Sequence, residues 1–246
     1  MEKEIVALLI SHKTKKYAFP AAVIVLFTCS GYALLQAGEM TDTREHKSET
    51  IELPEPALDS KTSIERAIRS RRSVRSFKES SLTLAEISQL LWAAQGITGP
   101  HGLRTAPSAG ALYPLEIYLV AGNVDALPAG VYHYRPIRNE LVRVIGGDKR
   151  SELCTAALGQ SSVRNAAAVI VFAAVYERTT VKYGVRGIQY VHMEIGHAAQ
   201  NVALQAVPLN LGTVVIGAFH DSELRRVLKM PDREQPLYAM PVGRMK

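Results

Sequence analysis

Cysteine is scarce in this 246-residue chain: the two present, Cys29 and Cys154, stand far apart. That usage supports neither a disulfide framework nor a zinc site. No repeat of fixed period and no low-complexity tract is found, which excludes solenoids and compositionally biased tails. Nucleotide-binding signatures are also missing. There is no GxGxxG and no Walker loop, so neither a Rossmann nor a P-loop site has support. The net charge of +6 is modest and is not gathered into a long basic run, so nucleic acid is not an expected partner. An apolar content of 47% and a charged content of 21% are those of a globular protein. The length suits one sizeable domain with an extension.

The extension is N-terminal. Lys13, Lys15 and Lys16 precede an apolar run, Tyr17 to Ala37, broken by Pro20, Thr28, Ser30, Gly31 and Gln36. Positive flank followed by apolar run is the layout of a signal peptide or an anchoring helix. Residues 1–38 are therefore expected to target the chain to a membrane, as an anchor or an export signal. Residues 39–60, polar, mostly acidic and carrying Pro54 and Pro56, read as a linker. The folded domain is expected over 61–246.

Within the domain, Thr62 and Glu65 have the spacing of a capping box ahead of a short helix ending near Ser70. Arg71-Arg72-Ser73-Val74-Arg75 follows at once. Guanidinium is a permanent cation whose planar fork suits phosphate oxygens, and a hydroxyl adds a further donor. Alone, the cluster could equally be a solvated basic turn. Thr83 and Glu86 open a second helix, with Leu84, Ile87, Leu90, Leu91 and Ala94 as its stripe and Gly96 at its end. Small residues and prolines from Arg104 to Pro114 lead into a strand around Ile117–Val120. Val131–Tyr134 and Leu141–Ile145 read as a hairpin, 148–158 as a short helix, and the apolar run 166–175 as a buried strand.

The longest helix is expected from about Gly187 to Val207. Ile188, Val191, Ile195, Ala198, Val202 and Ala206 fall at spacings of three and four. Gly196, Ala198, Ala199 and Ala203 would let another helix approach closely, and Pro208 ends the run. A strand at 213–219, a helix at 221–228 and a strand at 237–242 complete the chain.

Two lures can be set aside. Ala106-Pro107-Ser108-Ala109-Gly110 mimics a nucleophile elbow, but no apolar strand precedes it and Pro114 follows too soon for a long helix. Glu194 and His197 have the Glu-x-x-His spacing of a di-iron helix, yet the chain lacks the second copy such a site needs.

Five separated stretches carry a common signal: RRSVRSF, APSAGALYPLEIYLV, KYGVRGIQYVHMEIGHAAQNVALQA, LGTVVIGAF and YAMPVGR. In this order they resemble the nitroreductase family of FMN-dependent oxidoreductases, and more narrowly its azoline-oxidase, SagB-like branch. The resemblance implies an α+β fold, with a central, mostly antiparallel sheet flanked by helices, and a homodimer holding FMN at the subunit interface. Carried over motif by motif, it places Arg71, Arg72, Ser73 and Arg75 at the phosphate, ribityl chain and pyrimidine edge, with Arg244 adding to the phosphate site. It has Pro107, Ser108 and Ala109 line the flavin, partly from the second subunit. It has Ile216 and Gly217 present main-chain groups near N5. Lys182 and Tyr183 stand where that branch carries its proton-taking pair; read by themselves they are equally a surface lysine and a half-buried tyrosine.

The chain departs from many nitroreductases in having Ala111 and Tyr113 where Asn and Gln are usual, as the SagB-like branch does, and Asn210-Leu211-Gly212 for Gly-Leu-Gly. No precursor-recognition segment is expected ahead of the domain. The implied activity is two-electron oxidoreduction at FMN on a small-molecule or peptide substrate. The alternatives are a nitro or quinone reductase fed by NAD(P)H, and a flavin-binding homologue without turnover.

Overall fold

A computed structural model describes residues 49–246. The expected targeting segment, residues 1–38, lies outside them. Among the described residues no helix is long and apolar enough to cross a membrane.

Seven strands form one sheet: β1 Thr50–Glu52, β2 Leu115–Ala121, β3 Gly130–Arg135, β4 Glu140–Gly146, β5 Ala168–Ala174, β6 Leu211–Thr213 and β7 Gln235–Arg244. Their order across the sheet is β1-β4-β3-β2-β5-β7-β6, and every ladder is antiparallel. The helices are α1 Ile64–Ser70, α2 Leu84–Gln95, α3 Arg150–Ala156, α4 Ser161–Asn165, α5 Glu177–Tyr183, α6 Arg186–Gln205 and α7 Asp221–Leu228. The α+β architecture expected from the sequence is the one observed.

The alternation of side chains along a strand divides the core into two layers. Ile117, Leu119 and Ala121 of β2 join Ala168, Ile170, Phe172 and Ala174 of β5 under α2 and α6. Tyr118 and Val120 join Val169, Val171 and Ala173 on the other face, under α3, α4 and α7. β5 is covered on both faces along its whole length, which is why its sequence is an unbroken apolar run.

α2 begins with the expected capping box: Thr83 accepts from the Glu86 amide, and the Glu86 carboxylate accepts from that of Thr83. α1 is capped one residue later than expected, by Ser63, whose hydroxyl accepts from the Arg66 amide. On α6, Val191, Ile195, Ala198 and Val202 are buried as the spacing requires, whereas Ile188 is exposed. The small residues Ala198, Ala199 and Ala203 lie in the core layer shared with α2, so the close helix partner of that face belongs to the same chain.

Three expectations are corrected. The stretch read as linker contains β1, which pairs with β4, and Leu53 behind it is buried. Its continuation straps α2: Gln89 exchanges two hydrogen bonds with the Ala57 backbone, and the Ser88 hydroxyl donates to the Pro54 carbonyl. The domain thus starts before Lys61. The strand expected over 213–219 stops at Thr213, and the chain rejoins the sheet edge only where Ile216 bridges Ala239. α5, the helix that carries Lys182 and Tyr183, had no counterpart in the sequence reading.

Candidate active site

The arginine cluster leaves the C-terminus of α1 in extended conformation and is pinned by a parallel bridge between Ser73 and Thr213, with the Val74 amide donating to the Thr213 carbonyl. Val74 turns inward against Gly212, where a Cβ would come within 2.6 Å of it, so only glycine permits this approach. The residues on either side, Ser73 and Arg75, are exposed as the alternation demands. Arg71 is half-buried. It lines a cleft of about 280 Å³ with Arg66, Ser70, Arg72 and Thr213.

These donors fit a phosphate ester. Arg71, Ser73 and Arg75 form no ion pair or side-chain hydrogen bond with any described residue, and the buried Thr213 hydroxyl in the cleft also lacks a partner. Arg72 differs: its Nη1 turns back to the carbonyls of Arg69 and Arg71, capping α1. Arg244 is not brought to the cleft. Both its terminal nitrogens are held by the Glu86 carboxylate, at 2.7 and 3.0 Å, at the start of α2.

A second group gathers at the loop after Arg104. Pro107 is exposed, Ser108 and Ala109 are half-buried, and a single 3-10 turn spans Ala109–Ala111. Gly110, Ala111 and Tyr113 all have positive φ, at 64°, 55° and 45°. Two non-glycine residues in that region are strained, and tertiary contacts must hold them. The contacts are visible. The Tyr113 amide donates to the Ser108 hydroxyl oxygen at 2.9 Å, Arg178 of α5 donates to the Tyr113 carbonyl at 3.0 Å, and Arg104 stacks on the Tyr113 ring at 4.5 Å. Arg178 also pairs with Glu116 of β2, which in turn binds His133 at 2.7 Å.

Lys182 and Tyr183 converge on this loop. A Cβ built at Gly110 would lie 2.8 Å from Tyr183 Oη and 3.0 Å from Lys182 Nζ. The two groups therefore meet over Gly110, one residue beyond Ala109. Lys182 forms no ion pair with a described residue, and Tyr183 packs edge-on against Tyr190 at 5.1 Å. An amine and a phenol at one point can pass a proton.

Glu194 lies beneath the loop and was not among the residues singled out from the sequence for this site. It is 3% exposed on α6. Burial pushes its carboxyl up to about 7, against the opposing pull of the Ser108 hydroxyl, the Arg104 guanidinium and the Gln95 amide. A signal was present: Glu194 follows Val191 by three and precedes Ala198 by four, which puts a carboxylate on the core stripe.

Ile216 and Gly217 behave differently from each other. The amide of Ile216 donates to the Ala239 carbonyl and its carbonyl accepts from the Ala239 amide, each at 2.9 Å, so the Ile216 amide has no hydrogen to offer a ligand in this conformation. Gly217 is exposed, and a Cβ there would meet only the Tyr238 ring at ordinary contact distance.

Comparison with known proteins identifies the family. The model of the nitroreductase family matches residues 68–244. A protein of Methanocaldococcus jannaschii described as a nitroreductase is 48% identical over 196 residues, covering 80% of this chain and 98% of its own. The microcin B17-processing protein McbC of Escherichia coli is 29% identical over 161 residues, 63% of this chain and 59% of McbC. A crystal structure from Ralstonia eutropha, also described as a nitroreductase, superposes with a TM-score of 0.71 at 29% identity, over 80% of this chain and 90% of its own. The chain belongs to the nitroreductase family, and its likeness to McbC places it on that family's SagB-like branch.

Proposed function

We propose that the chain is an FMN-dependent oxidoreductase of the dehydrogenase type, acting on a small-molecule or peptide substrate. The observation that carries the reading is the meeting of Lys182 Nζ and Tyr183 Oη over Gly110, in the loop that the resemblance sets against the flavin. FMN, when bound, supplies two-electron chemistry through hydride exchange at N5. Arg71, Ser73 and Arg75 would hold its phosphate and ribityl chain. Pro107, Ser108 and Ala109 would line its ring, and the Gly217 backbone would stand open to the ring's edge. A substrate proton would be received at Tyr183 Oη or Lys182 Nζ, with the Tyr190 ring fixing the phenol's direction.

We further propose that the active unit is a homodimer. About 18 Å of α6 separates Glu194, under the Ser108 loop, from Ala206, at the Arg71 cleft. One subunit thus presents its phosphate donors and its proton-transfer pair at opposite parts of one helix. Apolar surface suited to a partner is open on α1, with Ile64 57% and Ile68 60% exposed, and around the start of α6, with Val181 87% and Val185 84% exposed. Light scattering on the purified flavoprotein should give twice the chain mass; a flavin-loaded monomer would count against this assembly. Targeting of the chain to a membrane by residues 1–38 is likewise proposed on sequence grounds, and full recovery in the soluble fraction of a cell lysate would contradict it.

The experiment for the reaction is stopped-flow bleaching of the bound flavin with candidate donors, in wild type and Lys182→Ala. General-base catalysis contributes about 10²- to 10⁴-fold, so the variant should slow reduction by a substrate by that order while retaining FMN. Delivery of hydride by a nicotinamide needs no base. Rapid bleaching by NAD(P)H that Lys182→Ala leaves unchanged, with no other donor active, would instead make the chain a nitro or quinone reductase. Flavin that no donor reduces would mark a binding protein.

A further inference from the structure

α5 carries Lys182 and Tyr183, yet little apolar burial holds it in place. Thr179 is its one buried residue, Val181 is exposed, and its start has no side-chain cap. A short segment with so few buried contacts opens and shifts easily unless something else fixes it. Among the described residues, Arg178 is the only side chain of α5 hydrogen-bonded outside the helix. Its guanidinium reaches two acceptors: Nη1 donates to the Tyr113 carbonyl at 3.0 Å, and Nη2 donates to Glu116 Oε1. Lys182 follows Arg178 by four, so the guanidinium and the amine leave one face of the helix, a turn apart.

The far ends of both bonds matter. Glu116 stands on β2, an inner strand paired with β3 and β5, and its side chain is 14% exposed. Its second oxygen is bonded to His133 Nε2 of β3 at 2.7 Å, so the carboxylate cannot turn without breaking a second contact. Ion pairs between two exposed side chains contribute little, but a mostly buried carboxylate with both oxygens engaged holds a guanidinium in one geometry. The other acceptor belongs to Tyr113, whose φ of 45° has to be held by its surroundings. Arg178 thus ties the helix to the sheet and to the strained loop at once.

Resting on the proposed role of Lys182 and Tyr183 as the proton-receiving pair, we propose that Arg178 is a positioning residue: by joining the Tyr113 carbonyl to Glu116, it sets α5 at the distance that brings Lys182 Nζ and Tyr183 Oη together over Gly110. It acts through the pair and carries no proton itself, since a guanidinium stays protonated. The fork is what the task requires. A lysine at this position would keep the charge but offer one nitrogen, which cannot span both acceptors as two guanidinium nitrogens do.

The test uses the intact flavoprotein and two readouts. In hydrogen exchange followed by mass spectrometry, Arg178→Gln should speed exchange over 177–184 by about 10-fold or more, with α2 and β5 protected as in wild type. In stopped-flow reduction of the flavin by substrate, the same variant should be slower by about 10- to 10²-fold, and Arg178→Lys should show a loss of the same order. In a chain already lacking the pair, Lys182→Ala/Tyr183→Phe, adding Arg178→Gln should change the rate by less than about twofold. A merely structural weakening would lower the rate in both backgrounds. An equal loss in both backgrounds, a full rate in Arg178→Lys, or unchanged exchange over 177–184 in Arg178→Gln overturns the proposal. Should Arg178→Gln not fold, Arg178→Lys carries the same measurements. Reduction that Lys182→Ala/Tyr183→Phe leaves at the wild-type rate refutes the reading of the reaction separately, and the clamp then stands or falls on the exchange over 177–184.

Discussion

Replacing Gly110 by alanine tests the meeting of Lys182 and Tyr183 through a residue that has no side chain of its own. Two costs follow from the structure. Gly110 has φ 64° and ψ 17°, a left-handed conformation that costs an alanine about 1 kcal/mol. The added methyl would also lie 2.8 Å from Tyr183 Oη and 3.0 Å from Lys182 Nζ, so the pair must retreat by roughly half an ångström to regain ordinary contact. Lysine has a flexible stem and yields at little cost. Tyr183 sits at the end of α5 with its ring edge-on to Tyr190, so the phenol must tilt away from that contact. A misplacement near 1 Å can cost about 10²-fold in rate, so half of that distance should cost about 10-fold. Gly159→Ala is the control, since Gly159 has φ 74° with nothing within 4 Å of its added methyl. Urea unfolding should show both variants losing about 1 kcal/mol, with Gly110→Ala losing up to about 1 kcal/mol more. Stopped-flow reduction by substrate should fall about 10-fold only in Gly110→Ala. Equal stability losses and equal rates in the two variants would refute the convergence. A lower stability with an unchanged rate would retire the pair from the chemistry.

Other consequences are measurable. Phe172→Ala, emptying a fully buried position on β5, should cost about 3–5 kcal/mol in urea unfolding. Thr83→Ala should cost about 1 kcal/mol through the lost cap, whereas Glu86→Ala should cost about 2 kcal/mol because Arg244 also loses its bidentate partner. The raised Glu194 carboxyl means that the folded state holds a proton which the unfolded chain releases near its ordinary value of 4.5, so its contribution is present below that pH and is lost as pH rises through about 7. The shift corresponds to about 3 kcal/mol. Glu194→Gln, which cannot ionise, should therefore gain stability relative to wild type by up to that amount between about pH 5 and about pH 8, read from paired unfolding curves. A constant difference across that range would contradict the buried ionisation.

The parts of this fold legible in the sequence are those whose local pattern and tertiary role agree. The unbroken apolar run of β5, the Thr83–Glu86 box and the stripe of α6 each carry their own period or cap, and each forms as expected. β1 carries none. It is three residues long, lies at the sheet edge with a polar composition, and is fixed by backbone bonds to β4 that no side-chain period announces. α5 lacks a side-chain cap, and its Arg178 bonds to the Tyr113 carbonyl and Glu116 come from residues more than sixty positions away in the chain. The site divides in the same way. The residue types at Arg71, Ser73, Lys182 and Tyr183 could be named from motifs. The commitment of Arg244 to Glu86 and the closure of the Ile216 backbone on Ala239 depend on long-range packing, whereas the place of Glu194 on the α6 stripe already marked it for burial.

The central claim, that Arg71 and Ser73 bind the phosphate of FMN, is tested most directly by titrating FMN into the cofactor-free protein, following flavin fluorescence, with the Arg71→Ala/Ser73→Ala double variant alongside. Wild type should bind FMN at one site per subunit. Each lost charge-assisted contact should cost about 1.5 to 3 kcal/mol, so the double variant should bind at least about 10²-fold more weakly with its fold intact. Wild-type protein that does not bind FMN, or a double variant that binds it as tightly as wild type, would contradict the claim.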